Sequence, residues 1–360
     1  MVYLSIGSNL GDRLKFLQLA VGLISYRISK VKNVSRIYET PAMGFKGNPF
    51  YNICVEIITD LQPKSLLEKL LDIEKYLGRV RLSDRKSKSR KVDIDIVYFK
   101  KLIIKDKELF IPHKNMHERN FVLYPLLDIC SDFKDPRNGK SIQTLLDNSK
   151  DSVIPKKVEE KVHIPEIKKI IAVEGLIGIG KTEFSIKLSE ALYGKIVLEE
   201  FNEILLEKFY TNPTKYAFET EKSFLELRLN QHKEFKTRKR YPQIFDYLAH
   251  KSIIFAKRTM TRLEFIKFQR DFNHCSGFFI KPEVVILLDQ ETNYILDKIK
   301  KRGRKFEKKI DKKYLDLIKS EYNRWKTKTK FRIFSLDLNN SNFKNNHSVF
   351  LTFLNLFFKH

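Results

Sequence analysis

The feature that most constrains the fold of this 360-residue chain is a glycine-rich stretch in its second half, VEGLIGIGKTEF at residues 173–184. It follows the apolar run KKIIAVEG, which predicts a buried strand, and it opens a segment with helical periodicity. A strand, a glycine loop and a helix in that order predict a phosphate-binding loop, because glycines let backbone N–H groups approach phosphate oxygens. In such a loop the lysine reaches the β- and γ-phosphates and the threonine ligates Mg²⁺. The loop residues are Gly175, Gly178, Gly180, Lys181 and Thr182.

The rest of the second half favours the fold class that such a loop requires. Apolar runs typical of buried strands are separated by long stretches with helical periodicity. That alternation predicts an α/β domain with a parallel sheet and helices on both faces. The predicted strands lie near residues 195–199, 243–246, 284–288 and 331–336.

A charged stretch with two prolines at residues 149–169 has weak periodicity and predicts a boundary between two domains. The length agrees, because 360 residues are too many for one average domain. The predicted organisation is a first domain at residues 1–155, a linker at 156–167 and a second domain at 168–360. The apolar tail at 349–358 is too short to span a membrane and predicts a packed terminal helix.

The composition bears on partners and compartment. The net charge of +25 raises the question of nucleic-acid binding, but the excess is spread over both halves and no basic module interleaved with aromatics stands out. Small anionic ligands explain the local clusters better. The chain shows neither a membrane-span pattern nor a signal-peptide pattern. Three cysteines, unpaired in number and spacing, indicate a reduced, cytoplasmic setting. We therefore expect small-molecule partners, no nucleic acid and no membrane.

The first half carries two aspartates inside an apolar strand pattern, KVDIDIVYF at residues 91–99. Side chains alternate along a strand, so Asp93 and Asp95 share one face. Two carboxylates on one face repel each other and are costly to bury unless a cation lies between them. The alternative is an exposed polar face on an edge strand. In this half we predict strands at 2–6, 33–39, 51–59 and 93–99, and helices at 13–28 and 63–77.

Several stretches around the aspartates resemble the 6-hydroxymethyl-7,8-dihydropterin pyrophosphokinases, which move pyrophosphate from ATP to a pterin alcohol. The signature of that family is an arginine, two residues and Asp-x-Asp followed by apolar residues, and RKVDIDIV at residues 90–97 satisfies it. The resemblance covers roughly residues 1–150 and implies an α+β, ferredoxin-like fold in three layers. The other matching stretches are LSIGSNLGDR (4–13), YETPAMG (38–44), FYN (50–52), IEKYLGRVR (73–81), IPH (111–113) and RNFVLYPL (119–126).

The same resemblance implies roles for individual residues. Asp93 and Asp95 help to hold two Mg²⁺, which neutralise the polyphosphate and stabilise the charge on the AMP leaving group. Arginines around this strand grip phosphate oxygens with forked donors. A loop with RKSKS at 85–89 stands where some members carry a tryptophan, which leaves its packing on the pterin open. The arginines are Arg79, Arg81 and Arg90, the other ATP contacts are Glu74 and His113, and the pterin pocket comprises Thr40, Pro41, Ala42, Met43, Gly44, Asn52 and Phe121.

After the phosphate-binding loop, four stretches resemble the deoxyribonucleoside kinases, namely VLEEFNEILLEKFY (197–210), TKYAFETEKSFLELR (214–228), IFDYLAHKSIIFAKR (244–258) and IKKRGRKFE (299–307). By that resemblance Glu199 is the general base for the nucleoside 5′-hydroxyl, with Glu200 as the alternative because the alignment needs a one-residue gap. ATP is the co-substrate, and a homodimer through this domain is left open. The remaining roles are the sugar 3′-hydroxyl for Tyr210 and Glu307, the base for Arg228, and the γ-phosphoryl for the lid residues Arg302 and Arg304.

Two positions depart from that family. Glu221 stands where the family has a glutamine that reads the base, and an ionised carboxylate only accepts hydrogen bonds. It therefore favours a base with N–H donors, such as guanine, with adenine next. Asp246–Tyr247 stands where many members have an acidic residue followed by Arg and Ser. An alternative is therefore that the second domain binds nucleotides without catalysing a reaction.

Overall fold

The computed structural model describes residues 1–79, 89–233, 241–339 and 347–360 of the chain. These residues form two compact units. The first unit comprises residues 1–167 and 350–360, and the second comprises residues 168–349. In the described residues, no helix is long and apolar enough to cross a membrane.

The first unit is built on an antiparallel sheet. Its strands run in the order β5-β1-β4-β3-β8, and β2 also pairs with β4. An antiparallel sheet with helices confirms the predicted α+β class, and the ferredoxin-like assignment stays a prediction. The elements are β1 Val2–Ser8, α1 Arg13–Arg27, β2 Val31–Val34, β3 Ile37–Thr40, β4 Phe50–Ile57, α2 Pro63–Tyr76, β5 Asp93–Phe99, β6 Ile104–Lys105, β7 Phe110–Ile111, α3 Asn120–Cys130, α4 Ile142–Asp147 and β8 Lys156–Val158, with a 3-10 turn at Met116–Glu118.

The single strand predicted at residues 33–39 is two strands, β2 and β3. The break lies at Ser35, whose backbone N–H donates to the carbonyl oxygen of Cys54 (2.9 Å) and whose hydroxyl accepts from the backbone N–H of Cys54 (2.9 Å). These two bonds satisfy the backbone of Ser35 and Cys54 between the two strands. The other predicted elements of this half agree with the structure to within a few residues at their ends.

The segment predicted as a linker, 156–167, belongs to the first unit. Strand β8 pairs with β3, and the side-chain amide of Gln18 on α1 forms two hydrogen bonds of 2.8 Å with the backbone of His163. Edge pairing and backbone capture of this kind depend on distant residues, so the local composition of the segment did not indicate them.

The last helix, α12 His347–Lys359, also belongs to the first unit from Phe350 onward. Helix α1 is buried along its length, from Phe16 to Arg27, which requires cover on more than one face. The rings of Phe357 and Phe358 contact Tyr26 with centroids 6.4 and 5.7 Å away, and Lys15 donates to Thr352 (2.7 Å). The terminal helix is packed, as predicted, and its residues from Phe350 onward belong to the first unit.

Gly22 on α1 allows a test of this packing, because the packing decides whether Gly22→Ala stabilises or destabilises the helix. A methyl group at Gly22 would overlap the ring of Phe358. In an exposed helix, Gly→Ala stabilises by about 0.5–1 kcal/mol. Here overpacking should reverse the sign and destabilise α1 by about 1–3 kcal/mol. Hydrogen exchange of α1 peptides measures the difference. In a chain that already carries Phe358→Ala, Gly22→Ala should stabilise α1. Hydrogen-exchange protection of α1 that rises with Gly22→Ala alone would show that α12 does not dock on α1.

The second unit contains a five-stranded parallel sheet in the order β10-β11-β9-β12-β13. The first strand in sequence, β9, is central, so the loop after it lies at the carboxyl edge between β11 and β12. The α/β parallel-sheet prediction is confirmed. The elements are β9 Ile170–Glu174, α5 Lys181–Leu192, β10 Lys195–Val197, α6 Glu203–Thr211, α7 Pro213–Lys233, β11 Gln243–Phe245, α8 Lys251–Thr259, α9 Arg262–Cys275, β12 Val284–Asp289, α10 Thr292–Arg302, α11 Lys312–Lys328 and β13 Ile333–Asp337, with 3-10 turns at Ser276–Phe278 and Lys305–Lys309.

Candidate active sites

The two aspartates of the first unit open strand β5. Asp93 and Asp95 pair in register with Gly7 and Ser5 of β1, and they alternate with buried apolar residues such as Ile94. Their carboxylates therefore lie on one face of the sheet, as the spacing predicts, and both side chains are partly exposed.

Two arginines pair with Asp93, and one of them also pairs with a buried glutamate. Arg79, which follows α2, donates to carboxylate oxygens of both Glu74 and Asp93. Arg90 donates to the second oxygen of Asp93 (2.5 Å). Glu74 is 1% exposed and accepts from the backbone N–H of Ile94 (2.8 Å), which ties α2 to β5. The predicted residues Glu74, Arg79, Arg90 and Asp93 thus form one cluster.

Asp95 lies close enough to the carboxylates of this cluster to be repelled by them. Burial, together with the charges of Asp93 and Glu74, raises the pKa of Asp95 to about 7. Within the part of the chain that the structure describes, Asp95 has no side-chain hydrogen bond or ion pair. A carboxylate in this setting fits a divalent cation, because Mg²⁺ is commonly bound by one or two carboxylates plus waters and substrate phosphates. Among the same residues, no group of three or more His, Cys, Asp or Glu side chains forms an all-protein metal site.

The residues predicted for the pterin pocket lie at the end of β3 and on β4. The amide of Asn52 is buried and donates to the hydroxyl of Thr40 (2.9 Å). The four residues after Thr40 form a loop: Met43 is 44% exposed, and Gly44 has φ +76°, which favours glycine. The predicted loop residues are Pro41, Ala42, Met43 and Gly44.

Two further predicted residues follow β5 along the chain. Phe121 opens α3, is half-buried against the core and lies below the guanidinium of Arg119 at 5.7 Å. His113 donates its backbone N–H to the carbonyl of Val97 on β5 (3.0 Å). Burial and the charge of Arg119 lower the pKa of the His113 imidazole to about 4, so the ring is neutral at pH 7. Arg81 lies outside the described residues.

The glycine loop of the second unit joins β9 to α5. Gly175, Gly178 and Gly180 have φ of +149°, +79° and +108°. A side chain at Gly178 would overlap Ile299, so the backbone needs glycine there for space as well as for conformation. Lys181 is folded back over the loop and donates to the carbonyl of Gly175 (2.8 Å). The conformation is that of an anion-binding loop at a helix N-terminus.

A cavity of about 1270 Å³ opens over this loop. It gathers residues from the loop, from the end of β10, from α6, α7 and α8, and from the end of α10. Of the residues predicted for this half, Gly175 does not line the cavity. Those that do are Gly178, Gly180, Lys181, Thr182, Glu199, Tyr210, Glu221, Arg228, Arg302, Arg304 and Glu307.

Glu199 is a carboxylate of the cavity lining that pairs with two cations. One oxygen accepts from Arg228 (Nε, 3.0 Å) and the other from Lys251 (Nζ, 2.8 Å). Burial alone would raise the pKa of Glu199, but the two cations outweigh it and hold the pKa at about 2. The alternative base, Glu200, is exposed, accepts from Gln231 (3.0 Å) and does not line the cavity.

A buried polar chain continues from Glu199 toward α8. Arg228 is 1% exposed, and its guanidinium donates to the hydroxyl of Ser252 (2.5 Å). Ser252 in turn donates to a carboxylate oxygen of Glu221 (2.6 Å). Burial raises the pKa of Glu221. The phenol of Tyr314 lines the same end of the cavity, and its buried oxygen has no hydrogen-bond partner among the described residues.

The remaining predicted residues form the wall near the end of α10. Glu307 is 2% exposed, accepts from Arg302 (Nε, 3.0 Å) and lies 3.7 Å from Arg304. The ring of Tyr210 stacks on Phe306 at 6.2 Å. The structure therefore brings the sugar and lid candidates next to one another, on the same cavity as the glycine loop.

Family models match both halves of the chain. The model of 7,8-dihydro-6-hydroxymethylpterin-pyrophosphokinase matches residues 3–131, and the model of deoxynucleoside kinase matches residues 171–359, more than half of the chain. The 2-amino-4-hydroxy-6-hydroxymethyldihydropteridine pyrophosphokinase of Bacillus subtilis is 42% identical over 132 residues, which are 36% of this chain and 78% of that protein. This chain belongs to both families. The prediction of two kinase domains is confirmed.

Two other proteins are similar to one half of the chain each. The folic acid synthesis protein fol1 of Pneumocystis carinii is 43% identical over 43% of this chain, and the match spans only 21% of that protein. A solved deoxyadenosine kinase from M. mycoides with bound dATP is 25% identical, with a TM-score of 0.46, and the match covers 52% of this chain and 99% of that one. The chain thus spans about a fifth of the length of the fungal relative.

Around the pyrophosphokinase aspartates, the structure adds a residue that the sequence analysis did not select. The side chain of Asn9 accepts from the backbone N–H of Arg90 (2.7 Å) and donates to the hydroxyl of Ser89 and to the carbonyl of Asn48, both at 3.1 Å. Asn9 therefore fixes the approach to β5 against the loop before β4. Its place in the matching stretch LSIGSNLGDR was the available signal.

In the deoxynucleoside kinase half, three contacts were not predicted. Lys251, the first residue of α8, lines the cavity, and the next residue, Ser252, connects Arg228 to Glu221. The Thr182 hydroxyl donates to Asp246 (2.6 Å), which gives a hydroxyl and a carboxylate beside the glycine loop, a donor set that fits Mg²⁺. At the departure from the family pattern, Asp246 thus pairs with Thr182, whereas the hydroxyl of Tyr247 donates to Gln231.

Proposed function

We propose that the chain is a bifunctional ATP-dependent transferase. The first domain transfers pyrophosphate from ATP to 6-hydroxymethyl-7,8-dihydropterin, a step of folate synthesis, and the second phosphorylates a deoxynucleoside at its 5′-hydroxyl. The observation that carries the first activity is the cluster of Asp93 and Asp95 with Arg79 and Arg90 on one face of β5. The observation that carries the second is the cavity that gathers the glycine loop, Glu199 and the lid arginines.

In the first domain, the chain's own residues provide charge and position. Arg79 and Arg90 are placed to exchange Asp93 for phosphate oxygens, since guanidinium groups bind both anions with the same forked donors. Two Mg²⁺ held by Asp93 and Asp95 would neutralise the polyphosphate. Asn52 and Thr40 hold a hydrogen-bonded pair that fits the polar edge of a pterin. His113, neutral at pH 7, is able to accept or donate a hydrogen bond to ATP without adding charge.

In the second domain, Glu199 would accept the proton of the 5′-hydroxyl while that oxygen forms its bond to the γ-phosphorus. The bond from the γ-phosphorus to the bridging oxygen breaks, and ADP leaves. Lys181 holds β/γ oxygens, Arg302 and Arg304 stabilise the charge of the transferring phosphoryl group, and Tyr210 with Glu307 orients the sugar. One Mg²⁺ at Thr182 would neutralise the phosphates of ATP.

Glu221 determines the base preference in this proposal. Its carboxylate accepts from Ser252 and has acceptor capacity left for a base with N–H donors. We propose guanine first and adenine next. Glu221→Gln adds a donor beside an acceptor, the pattern that pairs with adenine, so kcat/KM should shift toward deoxyadenosine by about tenfold relative to deoxyguanosine. Ser252→Thr, which keeps the donor to position 221, is the control and should leave the ratio nearly unchanged.

The assay of the four deoxynucleosides with ATP also separates catalysis from binding. The expected result is ADP formation, fastest with a purine deoxynucleoside. A wild-type chain that binds ATP through Lys181 and phosphorylates none of the four would show that the second domain is a nucleotide-binding scaffold. An equal response of all four to Glu221→Gln would show that Glu221 does not contact the base.

The free thiols of Cys54, Cys130 and Cys275 agree with a reduced, cytoplasmic setting. We keep small molecules as the partners, without nucleic acid or membrane, and a homodimer through the second domain as the assembly to test by mass in solution. Three Mg²⁺ per chain, two in the first site and one in the second, is the metal content of the proposal.

A further inference from the structure

Lys251 is a buried cation that the proposed chemistry has not used. It is the first residue of α8, its side chain is 13% exposed, and it lines the cavity of the second unit. Its ammonium lies 2.8 Å from one oxygen of Glu199, whose other oxygen is already paired with Arg228. One carboxylate therefore neutralises two cations, which leaves an excess of positive charge inside the cavity.

The excess lies toward the glycine loop. Lys181 and Lys251 line the same cavity. Burial and the charge of Lys251 lower the pKa of Lys181 to about 8, whereas the charges of Glu199 and Glu174 outweigh burial and raise the pKa of Lys251. Like charges in a buried cavity are costly unless an anion joins them. Three further negative side chains face them. Glu174 is tied to backbone N–H groups and to Tyr322, Asp246 is tied to Thr182, and Glu221, near Lys251, is tied to Ser252.

The neighbouring Tyr247 does not take part in these charge interactions inside the cavity. Its ring packs against His232 and Phe245, and its hydroxyl donates to Gln231 (2.9 Å). Tyr247 is 1% exposed and does not line the cavity. In the segment that leaves β11, the cation that reaches the cavity is therefore Lys251, four residues further along.

We propose that Lys251 binds the γ-phosphate of ATP and leaves Glu199 when it does so. The exchange frees one oxygen of Glu199 to accept the 5′-hydroxyl, while Arg228 holds the other oxygen in place. Lys251 thereby makes the base available only when ATP is present. The inference rests on the proposed kinase activity of the second domain for its catalytic consequence, but the contact with the γ-phosphate is independent of turnover.

The test compares ATP with ADP, which lacks the γ-phosphate. Binding is measured with Mg²⁺ and without nucleoside, in an Asp95→Ala chain to weaken ATP binding at the first site, and the same chain with Lys181→Ala gives the background. Lys251→Met should weaken the affinity for ATP at least about tenfold, the size of one lost charged hydrogen bond. The affinity for ADP should change less than about twofold. Lys251→Arg should restore most of the ATP affinity.

Lys257→Met is the matched control, because it removes a lysine from the same helix whose partner, Glu321, keeps Arg258 and Arg324. Lys257→Met should leave the affinities for ATP and ADP unchanged. If Lys251→Met does not fold, Lys251→Gln replaces it, since glutamine keeps a donor toward Glu199. Equal losses of ATP and ADP affinity in Lys251→Met, or no loss of either, would overturn the contact between Lys251 and the γ-phosphate.

Turnover separates this inference from the proposed function. If the wild-type chain phosphorylates a deoxynucleoside and Lys251→Met lowers kcat at least about tenfold, both stand. A selective loss of ATP affinity in a chain without kinase activity would support the contact and contradict the proposed reaction. Full kcat with an unchanged ATP-to-ADP ratio would contradict the contact and leave the reaction standing.

Discussion

Replacing Glu199 by glutamine should lower kcat for deoxynucleoside phosphorylation by roughly 10²–10⁴-fold, the usual loss when general-base assistance is removed. Glutamine keeps the size of the side chain and one acceptor oxygen for Arg228, so the cavity should keep its shape. ATP binding should change little, because Glu199 is not part of the glycine loop. Initial-rate kinetics with saturating ATP measures the effect.

Glu200→Gln is the matched control. Glu200 is exposed and accepts from Gln231 outside the cavity, so its substitution should change kcat by less than about threefold. A larger loss with Glu200→Gln than with Glu199→Gln would show that the neighbouring glutamate is the base. AMP formation from the pterin alcohol should be the same in both variants, since that reaction belongs to the first domain.

Asp95→Ala should lower pyrophosphoryl transfer at least about 10²-fold in kcat, the size found when a charge-stabilising group is lost from a transition state. No protein donor holds the carboxylate of Asp95 in the described residues, and burial together with the charges of Asp93 and Glu74 raises its pKa to about 7. Without it, the charge that develops on the AMP leaving group is less neutralised. Quantification of AMP measures the loss.

Two controls bound this result. Asp106→Ala removes a carboxylate of the first unit that pairs with Lys64 at the surface, and it should leave AMP formation unchanged. Asp95→Asn keeps the shape of the side chain and should be nearly as inactive as the alanine variant. A folded Asp95→Ala chain with full activity would contradict the role of the aspartate pair in holding Mg²⁺.

The parts of the fold that the sequence predicts are those encoded locally. The apolar run at 170–174 and the glycines after it define strand, loop and helix by backbone preference alone, and the parallel sheet follows from repetition of that pattern. Asp93 and Asp95 share a face because side chains alternate along any strand. Motif spacing therefore selects residues that the structure brings close together in both units.

The parts that the sequence did not predict depend on distant residues. The segment 156–167 has the composition of a linker, yet β8 pairs with an edge strand and Gln18 holds the backbone at His163. The phenylalanines of α12 indicate burial but not the helix that they cover. Lys251 has no motif of its own, and its position in the cavity follows from the start of α8 and from the burial of Tyr247. Long-range pairing of this kind leaves little trace in local periodicity.

The most direct test of two separate transferase sites in one chain is the identity of the nucleotide product. Pyrophosphoryl transfer converts ATP into AMP, whereas phosphoryl transfer converts it into ADP. The wild-type chain should release AMP with the pterin alcohol and ADP with a deoxynucleoside. Asp95→Ala should remove only the AMP, and Glu199→Gln should remove only the ADP. A wild-type chain that releases neither product with its substrate, or a single substitution that removes both, would contradict the account.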